Sequence, residues 1–380
     1  MPEPIRFSAT LIVRDEEAFL EGCLLSISGK VDEIVVVDTG SVDRTRDIAR
    51  DFGATLIERE WRNDFAWARN EAIAAATGDW LLYIDADERL TLPEGTTIAS
   101  GLDGDNVFAG RVQFRPTVNA TPYRELRLFR NDPRLRFRGS MHETLLPDLD
   151  RLVKENGVRV APSPAEIVHL GYEGDLTRKH KRNLPLLRAA IAANPDRTYY
   201  WHDLARTLSG LGEVEEALAT ARQGMALART RSSPIEHAIG SMMALTVATL
   251  EHTAGGNALP TIEAGLALYP RQPSLQHFRA RILVERGEPE QAIAVLDALI
   301  ATGEAGGTDP NIAFDRRIFG EYAHELRAIA LLKLGRKQEA GRAFAMASAL
   351  APDNLSYRVR AVALGGLPAA SQREIPIEKS

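Results

Sequence analysis

The stretch DWLLYIDADERL, residues 79–90, carries the strongest indication of fold in this sequence. Residues 80–84 are apolar and follow a glycine–aspartate breaker, so they are predicted to form a buried strand. Asp85, Asp87 and Glu88 come directly after that strand. Ligands of open α/β sheets bind just outside the carboxyl ends of the strands, so these three acids are expected to line a cleft.

Carboxylates this close together repel one another unless a cation lies between them. Hard oxygen ligands suit Mg²⁺ or Mn²⁺, and the phosphate groups of a substrate usually complete the coordination shell of such ions. The three acids therefore indicate a metal-dependent enzyme that acts on a phosphate ester. The alternative is an acidic turn that caps the following helix.

Two further strands are predicted upstream of this stretch. One covers residues 33–37, which are apolar after Glu33 and lead into Asp38; the other covers residues 7–13, which are mostly apolar and are followed by the run RDEE at 14–17. Helices are predicted after both runs, including one over residues 18–26. Alternating strands and helices are typical of a parallel sheet with right-handed crossovers. All three strands end in polar residues, so one edge of the sheet is predicted to be a polar rim.

Four segments, in this order, resemble the inverting glycosyltransferases of family 2, which have the GT-A fold. They are TLIVRDEE at 10–17, DEIVVVDTGSVDRT at 32–45, WRNDFAWARN at 61–70 and DWLLYIDADE at 79–88. The chain is similar in particular to the subgroup with a helical tetratricopeptide-like tail, the sublancin S-glycosyltransferase subgroup. The resemblance is dense over residues 7–90 and is architectural only in the second half of the chain.

The resemblance implies an α/β GT-A nucleotide-diphospho-sugar transferase domain over residues 1–174. It also implies that Asp38 and Asp43 contact the nucleotide. Asp85 and Asp87 would hold a divalent cation, Mn²⁺ or Mg²⁺, against the diphosphate. Asp85 would thereby contact both the metal and the nucleotide sugar.

Three further residues are assigned to the nucleotide site by the same resemblance. Asp15 stands where the family usually has asparagine, and an acid there could still hydrogen-bond a ribose. Arg69 and Asn70 fall in a helix predicted over residues 64–76, just before the strand at 80–84. That helix should reach the polar rim; the alternative is that the pair lies on a solvated helix face.

The segment RGSMHE, residues 138–143, supplies the candidates for the remaining chemistry. This string recurs in the tailed subgroup, as the resemblance implies. An inverting transfer needs a group that takes the proton of the acceptor while the anomeric carbon of the sugar is attacked. We assign Glu143 as this base and His142 as a metal ligand, and the reverse assignment stays open, as does a structural histidine beside an exposed glutamate. Asp148 and Asp150 are the alternative bases.

Two basic segments could bind anions. Six arginines lie between residues 124 and 138, where they could neutralise a diphosphate or hold an anionic acceptor. Their alternation with apolar residues fits a strand with one wet face equally well. The run KHKR at 179–182 begins the first long helix of the region that follows. It could bind an anionic acceptor, although a solvated helix face is the simpler interpretation.

A weak repeat is visible in the second half of the chain. Gly212, Gly287 and Gly335 lie at predicted turns, and each is followed five residues later by an alanine. This spacing is the signature of a tetratricopeptide-like helix-turn-helix array. We therefore expect an all-α tetratricopeptide-like solenoid over residues 175–365, with a flexible tail at 366–380. Such arrays leave a concave surface suited to peptides or partner proteins, and this region could also carry homo-oligomer contacts.

The composition is that of an ordinary globular protein, with 380 residues, 44% of them hydrophobic and 26% charged, and a formal net charge of −6. The negative charge gives no general attraction to nucleic acid or anionic lipid. Cys23 is the single cysteine, which excludes an internal disulfide. No signal peptide is recognised, and the longest weakly polar stretch, residues 238–250, is too short to span a bilayer. We expect a cytoplasmic protein with no transmembrane segment.

These observations predict a metal-dependent inverting glycosyltransferase. The donor is expected to be a UDP-hexose or UDP-N-acetylhexosamine, and the acceptor a peptide, a protein or a glycan. One alternative is a non-catalytic scaffold with a sugar-nucleotide fold and a protein-binding solenoid, against which the intact acids at 38, 85 and 87 argue. Another is a nucleotidyltransferase, but the glycine-rich phosphate loop that such enzymes normally have is not found between Val13 and Leu24.

Overall fold

The computed structural model divides into two compact units. The first contains Met1–Tyr200 with Pro310–Ala313, and the second contains Trp201–Asp309 with Phe314–Ser380. The structure describes residues 5–117, 119–170, 176–230, 234–306 and 312–367. The domain boundary predicted after residue 174 and most of the tail predicted at 366–380 lie outside these described residues.

The first unit alternates strands and helices along the chain. Its strands are β1 (Phe7–Val13), β2 (Glu33–Asp38), β3 (Thr55–Glu58), β4 (Trp80–Tyr83), β5 (Glu88–Thr91), β6 (Val107–Arg115), β7 (Tyr123–Arg130) and β8 (Arg159–His169). Its helices are α1 (Leu20–Ile27), α2 (Thr45–Asp51), α3 (Phe65–Ala75), α4 (Leu146–Asn156) and α5 (Thr177–Ala193). The three strands predicted at 7–13, 33–37 and 80–84 are confirmed, with ends that differ by no more than one residue.

The described strands form one mixed sheet in the order β3-β2-β1-β4-β7-β6-β8-β5. β1 pairs in parallel with β2 and β4, β2 pairs in parallel with β3, and β7 runs antiparallel to β4. The chain therefore moves outward from β1 to β3 and then returns to the other side of β1 for β4. Such a reversal opens a crevice at the carboxyl ends of the strands, where α/β proteins bind their ligands.

Helices cover both faces of this sheet. On one face α1 buries Leu20, Leu24 and Ile27 in a core shared with apolar side chains of β1 and β4. On the other face Ala72 and Ile73 of α3 share a core with residues of β2, β7 and α4. Burying one large aliphatic side chain contributes roughly 1.5–3 kcal/mol. The two cores therefore hold the strand ends, and with them the polar rim, in a fixed arrangement.

Residues 135–137 do not form a strand, although the alternation of arginines with apolar residues there fits one. Leu135 and Phe137 are buried, which explains the alternation. The backbone N–H and C=O of Phe137 bond to the side-chain amide of Asn70, at 2.9 and 3.0 Å, instead of to a neighbouring strand. The side chain of Asn70 thus takes the place of a neighbouring strand as the hydrogen-bond partner of Phe137. An alternating sequence pattern does not reveal which group is the partner.

β8 was not predicted because Pro162 and Pro164 interrupt it. The strand forms nevertheless, between β6 and β5, and its register with β6 shifts between Arg111 and Gln113. The irregular pairing tolerates residues that lack a backbone N–H. Its last residue, His169, pairs with Glu88 of β5 and therefore lies beside the acidic turn that follows β4.

The second unit is built from helices. They are α6 (Thr198–Gly210), which begins in the first unit, α7 (Val214–Ala228), α8 (Pro234–Thr253), α9 (Leu259–Leu268), α10 (Pro273–Glu285), α11 (Pro289–Glu304), a 3-10 turn (Arg316–Phe319), α12 (Glu321–Lys333), α13 (Lys337–Leu350) and α14 (Leu355–Ala363). Over the described ranges, none of the helices of the chain is both long and apolar enough to cross a bilayer.

The repeat seen in the sequence corresponds to consecutive helix pairs. Gly212, Gly287 and Gly335 have φ values of 85°, 81° and 73°, the left-handed conformation that ends one helix and begins the next. The alanines that follow each of them by five residues, at 217, 292 and 340, are fully buried. Their small side chains allow neighbouring helices to approach closely. The prediction of an all-α tetratricopeptide-like array is confirmed.

Candidate active site

The polar rim lies where β1, β2 and β4 end. Val13 of β1 pairs with Asp38 of β2, and β4 runs parallel on the other side of β1. The residues that follow these strands therefore meet at one edge of the sheet. Asp15, Asp38 and Asp85 are brought to this edge.

Asp38 holds its own turn with one carboxylate oxygen and leaves the other unpaired. Its Oδ1 accepts hydrogen bonds from the backbone N–H groups of Gly40 and Ser41, both at 3.0 Å. Its Oδ2 is buried and has no hydrogen-bond partner within the described residues. Leaving a buried acceptor unpaired is costly. Oδ2 is therefore the atom of this turn best suited to accept a hydrogen bond from a ligand.

Asp15 and Asp43 join the loops that follow β1 and β2. Asp15 accepts a hydrogen bond from the N–H of Val42 at 2.9 Å, and Asp43 accepts from the N–H groups of Glu17 at 3.0 Å and Thr45 at 2.9 Å. Partial burial acts against ionisation of Asp43, but the hydrogen bonds from Thr45 and Glu17 hold its pKa below the usual range. Both carboxylates fix the rim loops, and their contacts with a nucleotide stay predictions.

Asp85 is fixed through its side chain and its backbone. Its Oδ1 accepts from Nη2 of Arg69 at 2.8 Å, its N–H donates to Glu88 at 2.8 Å, and its C=O accepts from the thiol of Cys23 at 3.2 Å. Burial alone would raise the pKa of Asp85, but the guanidinium groups of Arg69 and Arg127 hold it below its usual range. The carboxylate is therefore ionised and oriented before any ligand arrives.

Asp87 is paired with a histidine that the sequence did not single out. Its Oδ2 lies 2.9 Å from Nε2 of His169, and Nδ1 of His169 lies 3.0 Å from the carbonyl oxygen of Pro116. The hydrogen bond to Asp87 raises the pKa of His169 to about 9, so the ring is protonated at neutral pH and donates from both nitrogens. His169 lies far from Asp87 in the sequence, and the pairing of β5 with β8 was needed to bring it to the rim.

Asp85, Asp87 and His169 form a donor set that suits a divalent cation. Carboxylates suit Mg²⁺ and Mn²⁺, and the imidazole nitrogen favours Mn²⁺ over Mg²⁺, which prefers oxygen ligands. In the part of the chain that the structure describes, no group of three or more histidine, cysteine or acidic side chains is arranged so that it could hold a metal ion. Asp87 and His169 instead bond to each other, and a cation bound between them would replace the shared proton.

Arg69 connects Asp85 to the predicted base. Its Nε donates to Oε1 of Glu143 at 2.5 Å, while its Nη2 donates to Asp85. The side chain is 8% exposed, and its guanidinium carbon lies 4.9 Å from the centre of the Tyr83 ring. Its Nη1 is buried and has no partner among the described residues. Arg69 is thus a buried cation between two carboxylates, and its Nη1 group is left to donate to a ligand.

Asn70 and His142 are held by neighbouring groups. Asn70, the residue after Arg69, uses both atoms of its amide on the backbone of Phe137. His142 has a φ of 49°, and its ring centre lies 4.5 Å from that of Tyr199. The predicted contact of Asn70 with the nucleotide and the predicted metal ligation by His142 stay predictions.

Glu88 is not a rim residue, contrary to the prediction. It belongs to β5 and is 1% exposed. Its two carboxylate oxygens accept from Nη1 and Nη2 of Arg127 at 3.0 and 2.8 Å. Glu88 also accepts a hydrogen bond from the N–H of Asp85, so the buried ion pair stabilises the acidic turn that follows β4. Both oxygens of the Glu88 carboxylate are occupied by Arg127 of β7, so this group does not line the cleft.

Glu16, which belongs to the run RDEE at 14–17, is a further acid at the rim. Burial, together with the neighbouring carboxylates of Asp87, Asp85 and Asp43, raises its pKa to about 7. Its Oε2 is buried and unpaired within the described ranges. A carboxyl group with a raised pKa in a cleft is a candidate functional residue. The crowding that causes the shift is three-dimensional and is not visible in the run RDEE.

The six arginines between residues 124 and 138 bond to the protein itself. Three form ion pairs, Arg127 with Glu88, Arg134 with Asp132 and Arg138 with Asp148. The other three donate to backbone carbonyl oxygens. The alternative base Asp148 is buried and also contacts Arg151, and Asp150 is exposed on α4. These contacts favour structural roles for the arginines.

The basic run at 179–182 lies on α5 and belongs to the first unit, not to the helical array. Lys179, Lys181 and Arg182 are exposed, as expected of a solvated helix face. Arg178, just before the run, is 89% exposed and lies 3.9 Å from the carboxylate of Asp15.

Residues 8–143 match the model of the family described as glycosyl transferase family 2. A TPR repeat-containing protein of Synechococcus elongatus is 39% identical over 225 residues, which cover 57% of this chain and 56% of that protein. The SPbeta prophage-derived glycosyltransferase SunS of Bacillus subtilis is 26% identical over 283 residues, which cover 72% of this chain and 66% of that protein. The chain thus spans less than two thirds of the length of either relative.

Solved structures of two kinds are similar to part of the chain. Glucosyl-3-phosphoglycerate synthase from Mycobacterium tuberculosis, in complex with Mn²⁺, UDP and glucosyl-3-phosphoglycerate, covers 50% of this chain and 79% of its own, with 18% identity and a TM-score of 0.37. A tetratricopeptide repeat protein from Parabacteroides merdae covers 50% of this chain and 68% of its own, with 16% identity and a TM-score of 0.38.

The sheet order, the acidic rim and the family match together define the class of the first unit. Residues 8–143 form a glycosyl transferase family 2 domain, and the α/β unit that contains them has the GT-A fold. This domain is followed by a tetratricopeptide-like helical array. The predicted combination of a family 2 domain with such a tail is confirmed.

Proposed function

We propose that the protein is a metal-dependent inverting glycosyltransferase that moves a sugar from a nucleotide donor to a peptide, protein or glycan acceptor. The donor is a UDP-hexose or UDP-N-acetylhexosamine. One observation carries the proposal: Asp85 is ion-paired with Arg69, which also pairs with Glu143, and Asp87, two residues further along the chain, pairs with His169. This arrangement supports a site for the leaving diphosphate near a carboxylate that can accept a proton.

The donor half of the site is assigned to Asp38, Asp85, Asp87 and His169. The unpaired Oδ2 of Asp38 accepts a hydrogen bond from the nucleoside, in agreement with its buried position. Asp85, Asp87 and His169 hold Mn²⁺ or Mg²⁺, and when bound this cation supplies positive charge that stabilises the leaving diphosphate. His169 takes the ligand role that the sequence suggested for His142, because His169 is the histidine in contact with Asp87.

The acceptor half of the site is assigned to Glu143. The acceptor atom bonds to the anomeric carbon while the bond from that carbon to the diphosphate oxygen breaks, and the acceptor proton passes to Glu143. Arg69 bonds one oxygen of Glu143, which fixes the direction of the other. Both oxygens of this carboxylate are thereby oriented, and the group is only 13% exposed. A preorganised base of this kind contributes typically 10²–10⁴-fold to the rate.

A thermal-shift panel of UDP-sugars tests this function. We expect UDP and one UDP-sugar to raise the melting temperature in the presence of Mn²⁺ and much less in EDTA. At a ligand concentration of about 100 times Kd the gain is about 2.7 kcal/mol, or roughly 5–10 °C for a unit of this size. Uridine serves as the control, because it lacks the diphosphate. The absence of a shift with UDP and every UDP-sugar would contradict the donor assignment, and a shift without any release of UDP would favour the scaffold.

Glu143→Gln is expected to lower turnover by roughly 10²–10⁴-fold while the affinity for UDP stays within about twofold. Glutamine keeps the volume and can still accept the hydrogen bond from Arg69, but it cannot take a proton. Turnover is measured as UDP release and affinity by calorimetry. Asp148→Asn is the comparison, since that carboxylate is committed to Arg138. A near-normal rate for Glu143→Gln would place the base elsewhere.

A further inference from the structure

The segment at residues 138–144 is a closed loop that carries the proposed base, Glu143. The backbone groups of its two end residues exchange two hydrogen bonds, each of 3.0 Å. Within the loop, the C=O of Ser140 accepts from the N–H of Phe65, at the start of α3, at 3.1 Å. These contacts fix the ends and the first half of the loop, including the peptide that follows Glu143, but none of them acts on the peptide that precedes it, between His142 and Glu143.

Two residues of the loop have left-handed backbone conformations. Gly139 has a φ of 97° and His142 a φ of 49°. Glycine adopts such a conformation freely, whereas a residue with a side chain keeps it only where the surroundings hold it in place. The strained residue is the one directly before Glu143, so the direction of the Glu143 side chain depends on whatever holds His142.

Arg197 contacts the backbone of His142. Its Nη2 donates to the C=O of His142 at 2.7 Å, and its Nη1 donates to the hydroxyl of Tyr200 at 2.8 Å. The Tyr200 ring is 4% exposed and lies 4.6 Å from the guanidinium carbon. A Cβ atom on Gly139 would lie 3.1 Å from the Tyr200 hydroxyl and 3.3 Å from Nη1 of Arg197. Arg197 and Tyr200 are thus packed against both left-handed residues.

We propose that Arg197 is a positioning residue for Glu143. Its charged hydrogen bond to the carbonyl oxygen of His142 holds the left-handed backbone that directs Glu143 toward Arg69. Arg197 lies between α5 and α6, within the region that the sequence assigned to the solenoid, and in the structure it belongs to the first unit. The catalytic part of the inference rests on the proposed function, because Glu143 is the base only if the protein is a glycosyltransferase.

Full-length Arg197→Ala, Arg197→Lys and Tyr200→Phe are the variants that test this role. Lysine keeps the charge but cannot donate to both partners in the planar geometry of a guanidinium. Phenylalanine removes the hydroxyl partner and leaves the contact with His142. Arg134→Ala is the matched control, because it removes an exposed arginine of the same unit whose ion pair, with Asp132, is local.

Three measurements are made on each variant: hydrogen exchange of the amides at 138–144, release of UDP from UDP-glucose with Mn²⁺, and affinity for UDP. For Arg197→Ala we expect loop exchange at least tenfold faster, turnover at least tenfold lower and UDP affinity within twofold of the parent. Millimolar guanidinium should restore part of the turnover. Arg197→Lys should be intermediate, Tyr200→Phe should have a smaller effect, and Arg134→Ala should match the parent.

Unchanged loop exchange in a folded Arg197→Ala variant would overturn the proposal. So would a loss of UDP affinity as large as the loss of turnover, because that indicates general disruption of the unit. If the parent protein releases no UDP from any UDP-sugar, the proposed function fails. The exchange of residues 138–144 then decides the positioning role by itself, since it does not depend on catalysis.

Discussion

Asp87→Asn is expected to lower glycosyl transfer by a hundredfold or more. The change removes one negative charge from the proposed cation site and weakens the contact with His169, whose Nε2 lies 2.9 Å from the carboxylate. Loss of one preorganised electrostatic contact at a reacting centre typically costs 10²–10³ in rate, and a hundredfold loss corresponds to about 2.7 kcal/mol. The measurement is UDP release at saturating donor over a series of Mn²⁺ concentrations.

The comparison with Asp85→Asn separates the chemical effect from the structural one. Asp85→Asn should lower turnover by a similar factor, but it also leaves the buried Arg69 with Glu143 as its remaining charged partner. We therefore expect a loss of stability of about 1–3 kcal/mol for Asp85→Asn and little loss for Asp87→Asn. Asp85→Asn also relieves the repulsion between Asp85 and the other carboxylates at the rim. This relief does not decide the stability, because the carboxylate of Asp85 is already ion-paired with Arg69.

Asp103→Asn is the control for both variants, because Asp103 is an exposed carboxylate on a loop of the same unit. Full turnover of Asp87→Asn in EDTA would remove the cation from the mechanism. Loss of turnover that excess Mn²⁺ restores would instead identify Asp87 as a ligand that sets affinity for the ion.

Arg127→Met is expected to destabilise the first unit by about 3–5 kcal/mol. The guanidinium is buried, and it is the partner of both carboxylate oxygens of Glu88, which is 1% exposed. Removing one member of a buried ion pair leaves an uncompensated charge in a low-dielectric environment, which is the costliest way to break such a pair. Hydrogen exchange of β4 and β7 amides reports this loss separately from unfolding of the helices.

Two further variants give the Arg127 experiment its controls. The double variant Arg127→Met with Glu88→Gln should recover a large part of the loss, because the fully buried group at position 88 is then uncharged, while Glu125, the other carboxylate that contacts Arg127, is 29% exposed. Arg134→Ala, which breaks the exposed pair with Asp132, should cost about 0–1 kcal/mol. Equal stabilities for the single and double variants would show that the charge of Glu88 does not cause the loss.

The part of the fold that could be predicted is the part set by local pattern. β1, β2 and β4 are mostly apolar runs, and an acid stands at the last residue of each strand or two residues after it, so both their positions and the polar rim follow from period and composition. The turn glycines of the helical array are recognised in the same way. β8 could not be predicted, because its two prolines carry a local signal against a strand and only its place between β6 and β5 overrides that signal.

The candidate site divides along the same line. Asp85 and Asp87 follow a strand, so their place at the rim could be predicted, and their role as metal ligands stays a prediction. Glu88 has the same chemistry in the same motif but is the buried partner of Arg127. His169 was missed for the converse reason, since nothing in its local sequence marks it and strand pairing alone places it beside Asp87. Residue type and spacing identify carboxylates that could bind a ligand. Tertiary contacts decide which of them is instead paired with a positively charged side chain of the protein.

The position of Arg197 has a consequence for how helical tails can be exchanged between related enzymes. The composition of the chain changes before α5, which suggests a crossover point there for chimaeras. A chimaera joined at that point would inherit Arg197 from one parent and the loop at 138–144, which contains His142, from the other. Recombination after Tyr200, the last residue of the long segment of the first unit, takes both from one parent and should yield active hybrids more often.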